Sequence, residues 1–206
     1  MRFRALLAGG VLAAAAFAPA AQAATITTSL AAWAAAVSDY STTSNTGLAL
    51  YSSVTSIPLS DGVTLTVDGA GDTVLRPLSG WGPWSDGYTG DIIDTAVKSE
   101  TIRFSGLNAL GVELSPDFGL FGADAETFTV TLSDGTTTQI SGSYPQGTTQ
   151  FVGFYGAGVN SITIAAANAP DFAFGAFVDA PEPLSVSLLL VGLAGLGAVR
   201  RHARNI

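Results

Sequence analysis

The densest group of residues able to do chemistry lies in residues 78–94, with the sequence LSGWGPWSDGYTGDIID. Its aromatic residues are Trp81, Trp84 and Tyr88, and its carboxylates are Asp86, Asp91 and Asp94. Aromatic rings stack on sugar rings, while adjacent carboxylates accept hydrogen bonds from sugar hydroxyls. The segment therefore predicts a glycan-binding loop. The alternative is a loop whose tryptophans fold back onto the core, because tryptophan is usually largely buried.

The same aspartates are candidate calcium ligands, because Ca²⁺ prefers carboxylate and carbonyl oxygens. Asp86, Asp91 and Asp94 are joined in this by Asp68 and Asp72, which bound the short sequence DGAGD. DGAGD lacks the bidentate glutamate that completes an EF-hand loop. Calcium is thus the one cofactor that the sequence suggests, and solvated turn aspartates are the alternative.

Catalysis has little support in the composition. The chain has no cysteine, and its single histidine, His202, lies near the C-terminus. This excludes thiol nucleophiles, cysteine-ligated zinc and histidine-dependent triads from the central region. A glycosidase needs only two carboxylates about 5 to 10 Å apart. No motif selects such a pair, so we expect a non-enzyme. The carboxylates that could form one are Glu113, Asp117, Asp124 and Glu126.

The charge distribution argues against a nucleic-acid partner. Between Thr25 and Ala180 the only basic residues are Arg76, Lys98 and Arg103, against fifteen Asp and Glu. Such a surface repels phosphate, so no nucleic acid is expected among the partners.

The N-terminus has the organisation of a secretory signal peptide. Arg2 and Arg4 precede an uncharged apolar stretch over residues 5–17, and Ala21-Gln22-Ala23 gives the small-x-small pattern of a cleavage site. We expect residues 1–23 to direct Sec export and signal peptidase to cut after Ala23.

The C-terminus has the organisation of a short membrane anchor. Residues 184–199 carry no charge and are followed by Arg200, Arg201 and Arg204. A helix of that length spans about 24 Å, so the arginines would snorkel to reach across a hydrocarbon core of about 30 Å. The positive-inside rule places these arginines in the cytoplasm. We expect one transmembrane helix over residues 184–199 and a basic cytoplasmic tail over residues 200–206.

Pro181, Glu182 and Pro183 stand immediately before the apolar run, and their two prolines favour extended backbone. This tripeptide, the apolar segment containing GLAGLG and the terminal arginines together resemble the PEP-CTERM sorting signal of Gram-negative bacteria. Tails of this kind are also called ice-binding protein C-terminal domains. Ice binding itself is not expected, because the chain has no regular array of threonines that could face ice. The resemblance implies an exosortase as partner, a transient stay in the inner membrane, and final delivery to the cell surface or extracellular matrix.

Residues 24–179 show the period-two alternation of half-buried strands, as in Thr64 to Val67 and Thr127 to Leu132. Residues 29–37 predict one short helix capped by Ser29, and Ser133-Asp134-Gly135-Thr136 predicts a hairpin turn. We therefore expect an all-β antiparallel sandwich, jelly-roll-like. The exported parts of PEP-CTERM proteins resemble residues 24–179 of this chain in three features. In this chain these are the early LAAW helix, the strand pair over residues 151–164 and the last strand over residues 171–178.

Together these features predict an exported cell-surface or extracellular-matrix protein, structural or adhesive and non-catalytic, with domains at residues 1–23, 24–179 and 180–206. The first alternative is a carbohydrate-binding module acting on exopolysaccharide. The weaker alternative is a carboxylate-pair glycoside hydrolase.

Replacing Pro181, Glu182 and Pro183 with alanine tests the sorting hypothesis. We expect the variant to accumulate in the inner membrane at the mass left by signal cleavage alone, because the processing enzyme no longer recognises its substrate. Cell fractionation with intact-mass measurement provides the readout, and alanine substitution of Ser185 and Ser187 is the control. Normal mass and normal delivery of the triple variant would contradict the hypothesis.

Overall fold

The computed structural model describes residues 24–37, 39–69, 71–77, 81, 84, 87–117, 124–144, 148–156 and 158–181. The predicted signal peptide, residues 1–23, and the predicted transmembrane helix, residues 184–199, lie outside these ranges. Within them, no helix is both long enough and apolar enough to span a bilayer.

The described residues form thirteen strands and one short helix. The helix α1 is Leu30–Ala36. The strands are β1 Thr25–Thr27, β2 Ser41–Thr43, β3 Ser56–Pro58, β4 Thr64–Val67, β5 Thr73–Leu75, β6 Ile92–Asp94, β7 Ser99–Arg103, β8 Leu107–Pro116, β9 Asp124–Leu132, β10 Thr137–Tyr144, β11 Gln150–Tyr155, β12 Ser161–Ala166 and β13 Phe172–Pro181.

These strands make two antiparallel sheets. The first sheet has the order β1-β11-β8-β13-β6-β5, with β2 also paired to β13. The second sheet has the order β10-β9-β12-β7-β4-β3. The expected all-β antiparallel architecture with one short helix is confirmed, and the finer description as a jelly roll stays a prediction.

Aromatic side chains from both sheets fill the space between them. Phe104, just after β7, stacks on Phe154 of β11 with ring centroids 5.3 Å apart. Phe128 of β9 meets Phe172 of β13 edge-on at 5.6 Å. Such pairs are favourable beyond the apolar area that they bury. This shared core makes the two sheets a sandwich.

Local sequence signals correspond to the elements observed. Side chains of β4 alternate between exposed and buried along the strand, as period two requires. Ser29 caps α1 by accepting a hydrogen bond from the Ala32 N–H at 3.2 Å. Gly135 adopts φ 88° in the turn between β9 and β10, a conformation open to glycine at no steric cost.

Strand β8 carries no clear alternation because both of its faces are covered. Eight of its ten residues are buried, and Ala109, Leu110, Gly111 and Val112 are buried in succession. One face of β8 lies against the core between the sheets, and the other lies under α1. A strand buried on both faces has a continuous apolar sequence rather than an alternating one.

Helix α1 packs on the outer face of the first sheet through Trp33. The Trp33 side chain is fully buried, and its Nε1–H donates to the Phe154 carbonyl at 2.9 Å. Gly153 and Gly111 are cross-strand partners beneath this region. A methyl group on Gly153 would lie 2.6 Å from Trp33 Cδ1, so the absence of a side chain lets the indole approach the sheet.

Gly153→Ala is expected to destabilise the fold by about 1 to 3 kcal/mol, because the added methyl overlaps Trp33. The free energy of unfolding from urea titration gives the value. Trp33→Ala removes the ring, so the double variant should lose less stability than the sum of the two single changes. Strict additivity would show that the methyl and the indole do not compete for space.

Candidate functional site

A polar cleft of about 300 Å³ lies beside the aromatic loop, at the low end of the range for small-ligand sites. It is formed where the loop after β2 meets the residues that precede β6. The residues lining it are Ser44, Asn45, Arg76, Thr89, Gly90 and Asp91. Hydroxyl, amide and guanidinium groups therefore meet in one concave surface.

The cleft is held together by Asp91, whose side chain is 1% exposed. Asp91 Oδ1 accepts a hydrogen bond from Arg76 Nε at 3.0 Å. Asp91 Oδ2 accepts two more, from Thr46 N and Thr46 Oγ1, each at 2.8 Å. The Arg76 side chain remains 43% exposed. Asp91 thus fixes a guanidinium that solvent, and any ligand in the cleft, can reach.

Tyr88 joins the two sides of this region. Its hydroxyl donates to the Asp91 carbonyl at 2.9 Å. Burial, with smaller effects from the charges of Asp91 and Glu113, raises the pKa of Tyr88 to about 12, so the phenol stays neutral. A methyl group on Gly90 would overlap both the Tyr88 hydroxyl and the Ser44 carbonyl, so this close approach requires glycine.

The two tryptophans of the loop differ in exposure. Trp84 is only 4% exposed and packs with Leu75, Ile92 and Ala173 on the outer face of the first sheet. Its ring is therefore not available to stack on a ligand, and the fold-back alternative describes it. Trp81 is half-buried, and its Nε1–H donates to Ser115 Oγ at 3.4 Å. Trp81 and Tyr88 keep part of their surface exposed.

Of the three aspartates predicted as calcium ligands, the structure describes Asp91 and Asp94, and each has other surroundings. Asp86 lies outside the described residues, and both oxygens of Asp91 are occupied by Arg76 and Thr46. Asp94 faces other acids: burial, then the charges of Asp171, Asp117 and Asp72, raise its pKa to about 7. In the described ranges, no three or more Asp, Glu, His or Cys side chains are placed to hold a metal.

Of the acids considered for hydrolysis, Glu126 has a structural role. Its side chain is buried and accepts hydrogen bonds from four backbone N–H groups, those of Thr127 at 2.8 Å, Ala167 at 2.6 Å, Asn168 at 3.1 Å and Ala169 at 2.7 Å. Burial acts to raise the pKa of Glu126, but these donors outweigh burial and lower it. Glu126 is thus an ionised anchor for the turn after β12.

Of the other three acids, Glu113 and Asp117 make contacts elsewhere in the fold. Glu113 on β8 accepts a hydrogen bond from Thr149 Oγ1 at 2.9 Å. The Asp117 backbone N–H donates to the Asp171 carbonyl at 3.2 Å. The side chain of Asp124 lies outside the described part of the chain.

Only the first residue of the sorting tripeptide falls within the described ranges. Pro181 is the last residue of β13 and lies opposite Leu107 of β8. The extended backbone expected at this proline is therefore present, as the end of a central strand. The signal-cleavage residues Ala21 and Ala23, the rest of the tripeptide, and Arg200, Arg201 and Arg204 lie outside the described residues.

No protein-family model matches the chain, and no curated protein matches it in sequence. Solved structures with partial similarity include CBM51 from Clostridium perfringens GH95 in complex with methyl-galactose, with TM-score 0.37 and 15% identity over 66% of this chain and 97% of that one. CBM51-2 in complex with GlcNAc and INT domains from Clostridium perfringens ZmpB gives TM-score 0.36 and 14% identity over 60% of this chain.

The chain spans 35% of the length of that Clostridium perfringens ZmpB structure. TmCBM61 in complex with β-1,4-galactotriose gives TM-score 0.24 and 10% identity over 57% of this chain and 87% of that one. With TM-scores below 0.5 and identities of 15% or less, these similarities assign neither a family nor a ligand to the chain.

Glu126→Gln is expected to destabilise the protein by about 2 to 4 kcal/mol, because the amide NH₂ would face backbone donors that need an acceptor. Chemical denaturation at pH 7 measures this change. Asp134→Asn is the control: Asp134 is exposed and accepts from the Thr136 N–H in a turn where asparagine serves equally well. An equal effect of the two substitutions would contradict the anchoring role of Glu126.

Proposed function

We propose that the protein is an exported, non-catalytic surface module that adheres to extracellular polysaccharide by binding a sugar unit in the cleft around Arg76. The observation that supports this most directly is the geometry of Arg76. Its guanidinium is fixed by a buried carboxylate while 43% of the side chain stays exposed. A prepositioned donor group loses little entropy when it binds a ligand.

The chemistry of the cleft suits a neutral sugar. Hydroxyl groups act as both donors and acceptors, and the cleft offers both kinds of partner through Ser44, Asn45 and Thr89. Arg76 contributes only donors. The acidic excess of the surrounding region disfavours polyanionic chains, since like charges repel over the surface. Uncharged saccharides are therefore the ligand class that the cleft favours.

The same geometry favours binding over hydrolysis. Glycoside hydrolysis requires two carboxyl groups free to act on the scissile bond. Among the described residues, Asp91 is the only carboxylate lining the cleft, and both of its oxygens accept hydrogen bonds from Arg76 and Thr46. Asp91 therefore serves to hold Arg76, and we assign no catalytic role to it.

The terminal segments would deliver this module to its place of action. We assign export to residues 1–23, and transient membrane attachment and exosortase processing to residues 180–206, on the resemblance of the tail to PEP-CTERM signals. Because β13 extends to Pro181, the tripeptide begins at the last residue of that strand. A protein released there would keep its cleft intact at the cell surface or in the matrix.

Arg76→Ala should weaken binding to the exopolysaccharide of the producing cells at least tenfold, because a charge-assisted hydrogen bond contributes about 1.5 to 3 kcal/mol. Asn45→Ala, which leaves the ion pair in place, should weaken binding less strongly. Affinity gel electrophoresis in the purified polysaccharide measures the retardation.

Arg103→Ala is the matched control, because Arg103 forms an exposed ion pair with Asp68 at 2.6 Å, apart from the cleft lining. This variant should bind like the native chain. A thermal melt of each variant separates lost binding from lost folding. Equal retardation of all four proteins, or none of the native protein, would contradict the proposal.

A further inference from the structure

Two buried acids from different sheets meet away from the cleft. Asp72 immediately precedes β5 of the first sheet, and Glu100 lies on β7 of the second sheet. Their exposed fractions are 0% and 1%. A carboxylate removed from water to this degree requires hydrogen bonds or a counter-charge, because desolvation of a charge is costly.

The two side chains converge on Gly69. Glu100 Oε1 accepts hydrogen bonds from the Asp68 N–H at 2.7 Å and the Gly69 N–H at 3.0 Å. A methyl group on Gly69 would overlap both Glu100 Oε2 and Asp72 Oδ1. The two oxygens therefore point to the same small volume, which exists because residue 69 has no side chain.

Among the described residues, the oxygens that converge there lack a donor at ordinary hydrogen-bond geometry. Within the described part of the chain, neither Asp72 oxygen accepts a hydrogen bond of ordinary geometry, and neither does Glu100 Oε2. Burial raises the pKa of Asp72, although the Ala96 amide counteracts part of the rise. Burial and then the charge of Asp72 raise the pKa of Glu100. The nearby cation of Arg103 is occupied by Asp68 at 2.6 Å.

We propose that Asp72 and Glu100 together bind one calcium ion, which links the two sheets near Gly69. Calcium–oxygen distances of about 2.3 to 2.6 Å allow one ion to bridge two converging carboxylates. Since only two acids contribute, water and backbone carbonyls supply the remaining ligands. This ligand set corresponds to the weak affinities of extracellular calcium modules, with Kd of about 10⁻⁴ to 10⁻³ M.

The link would act as a cross-sheet staple in a chain that has no cysteine to form a disulfide. Asp72 stands in the DGAGD segment, where no following glutamate completes a known loop motif. Glu100 reaches the segment only because the β4–β7 pairing places β7 beside the strand that leads into it. Linear spacing gives no signal for such a partner.

The test is a thermal melt of the purified full chain at pH 7.5 in 5 mM EDTA and in 5 mM CaCl₂, with calorimetric titration of CaCl₂ for stoichiometry. We expect calcium to raise the Tm by about 5 °C with one ion bound per chain, since a ligand specific to the folded state stabilises it by mass action. The same melt in 5 mM MgCl₂ should show a smaller rise, because Mg²⁺ demands near-ideal octahedral geometry.

Asp72→Asn and Glu100→Gln preserve side-chain shape, and each should abolish the calcium-dependent rise. Asp39→Asn, at an exposed acid, should retain it in full. If calcium changes neither the Tm of the native chain nor the calorimetric heat, the proposal is overturned. This holds even if acidification stabilises the protein, because Asp72 and Glu100 would then share a proton instead of a calcium ion. A calcium effect that persists in both amide variants would also overturn it, since the ion would bind elsewhere.

Discussion

The rest of the structure depends on how a sandwich with very few basic side chains accommodates buried carboxylates. Asp91 is neutralised by Arg76 and hydrogen-bonded by Thr46. Glu126 is held by four backbone amides. Among the described residues, neither a basic side chain nor a set of backbone amides holds Asp94 or Asp179. Burial and neighbouring acids raise the pKa of Asp94 to about 7, and burial with Asp61 raises that of Asp179 to about 8, so both bind a proton near neutral pH.

Each way of holding a carboxylate has a separate consequence for function. The arginine at Asp91 produces a fixed, half-exposed guanidinium and with it the cleft that we assign to sugar binding. The amides around Glu126 fix the turn that leads from β12 toward β13. The protonated Asp179 lies in β13 two residues before Pro181, so the strand that precedes the sorting tripeptide crosses the sheet without an unpaired charge. Glu126, one of the four acids considered for a catalytic pair, thus has a structural role in the fold.

Much of the fold could be predicted from the sequence, because its signals are local. The Ser29 cap, the Asp134-Gly135 turn and the alternation in β4 and β9 each depend on neighbours in the chain. Strand β8 could not be found by alternation, since α1 covers the face that would otherwise be polar. For the proposed site, the segment over residues 78–94 supplies Thr89, Gly90 and Asp91, whereas Arg76 and the loop residues Ser44 and Asn45 come from elsewhere. Long-range pairing decides which acid meets a base, and sequence spacing does not encode that choice.

Residue-specific ¹³C NMR titration of the carboxyl groups between pH 2 and pH 9, without divalent cations, tests the central claim most directly. The account predicts that Asp94 titrates near 7 and Asp179 near 8, while Glu126 titrates below its ordinary value. Stability due to the two aspartates is then fully present below their unfolded pKa and lost as pH rises through 7 and 8, whereas stability due to Glu126 is lost as pH falls through its lowered pKa. Titration of all three groups near 4 would contradict the account.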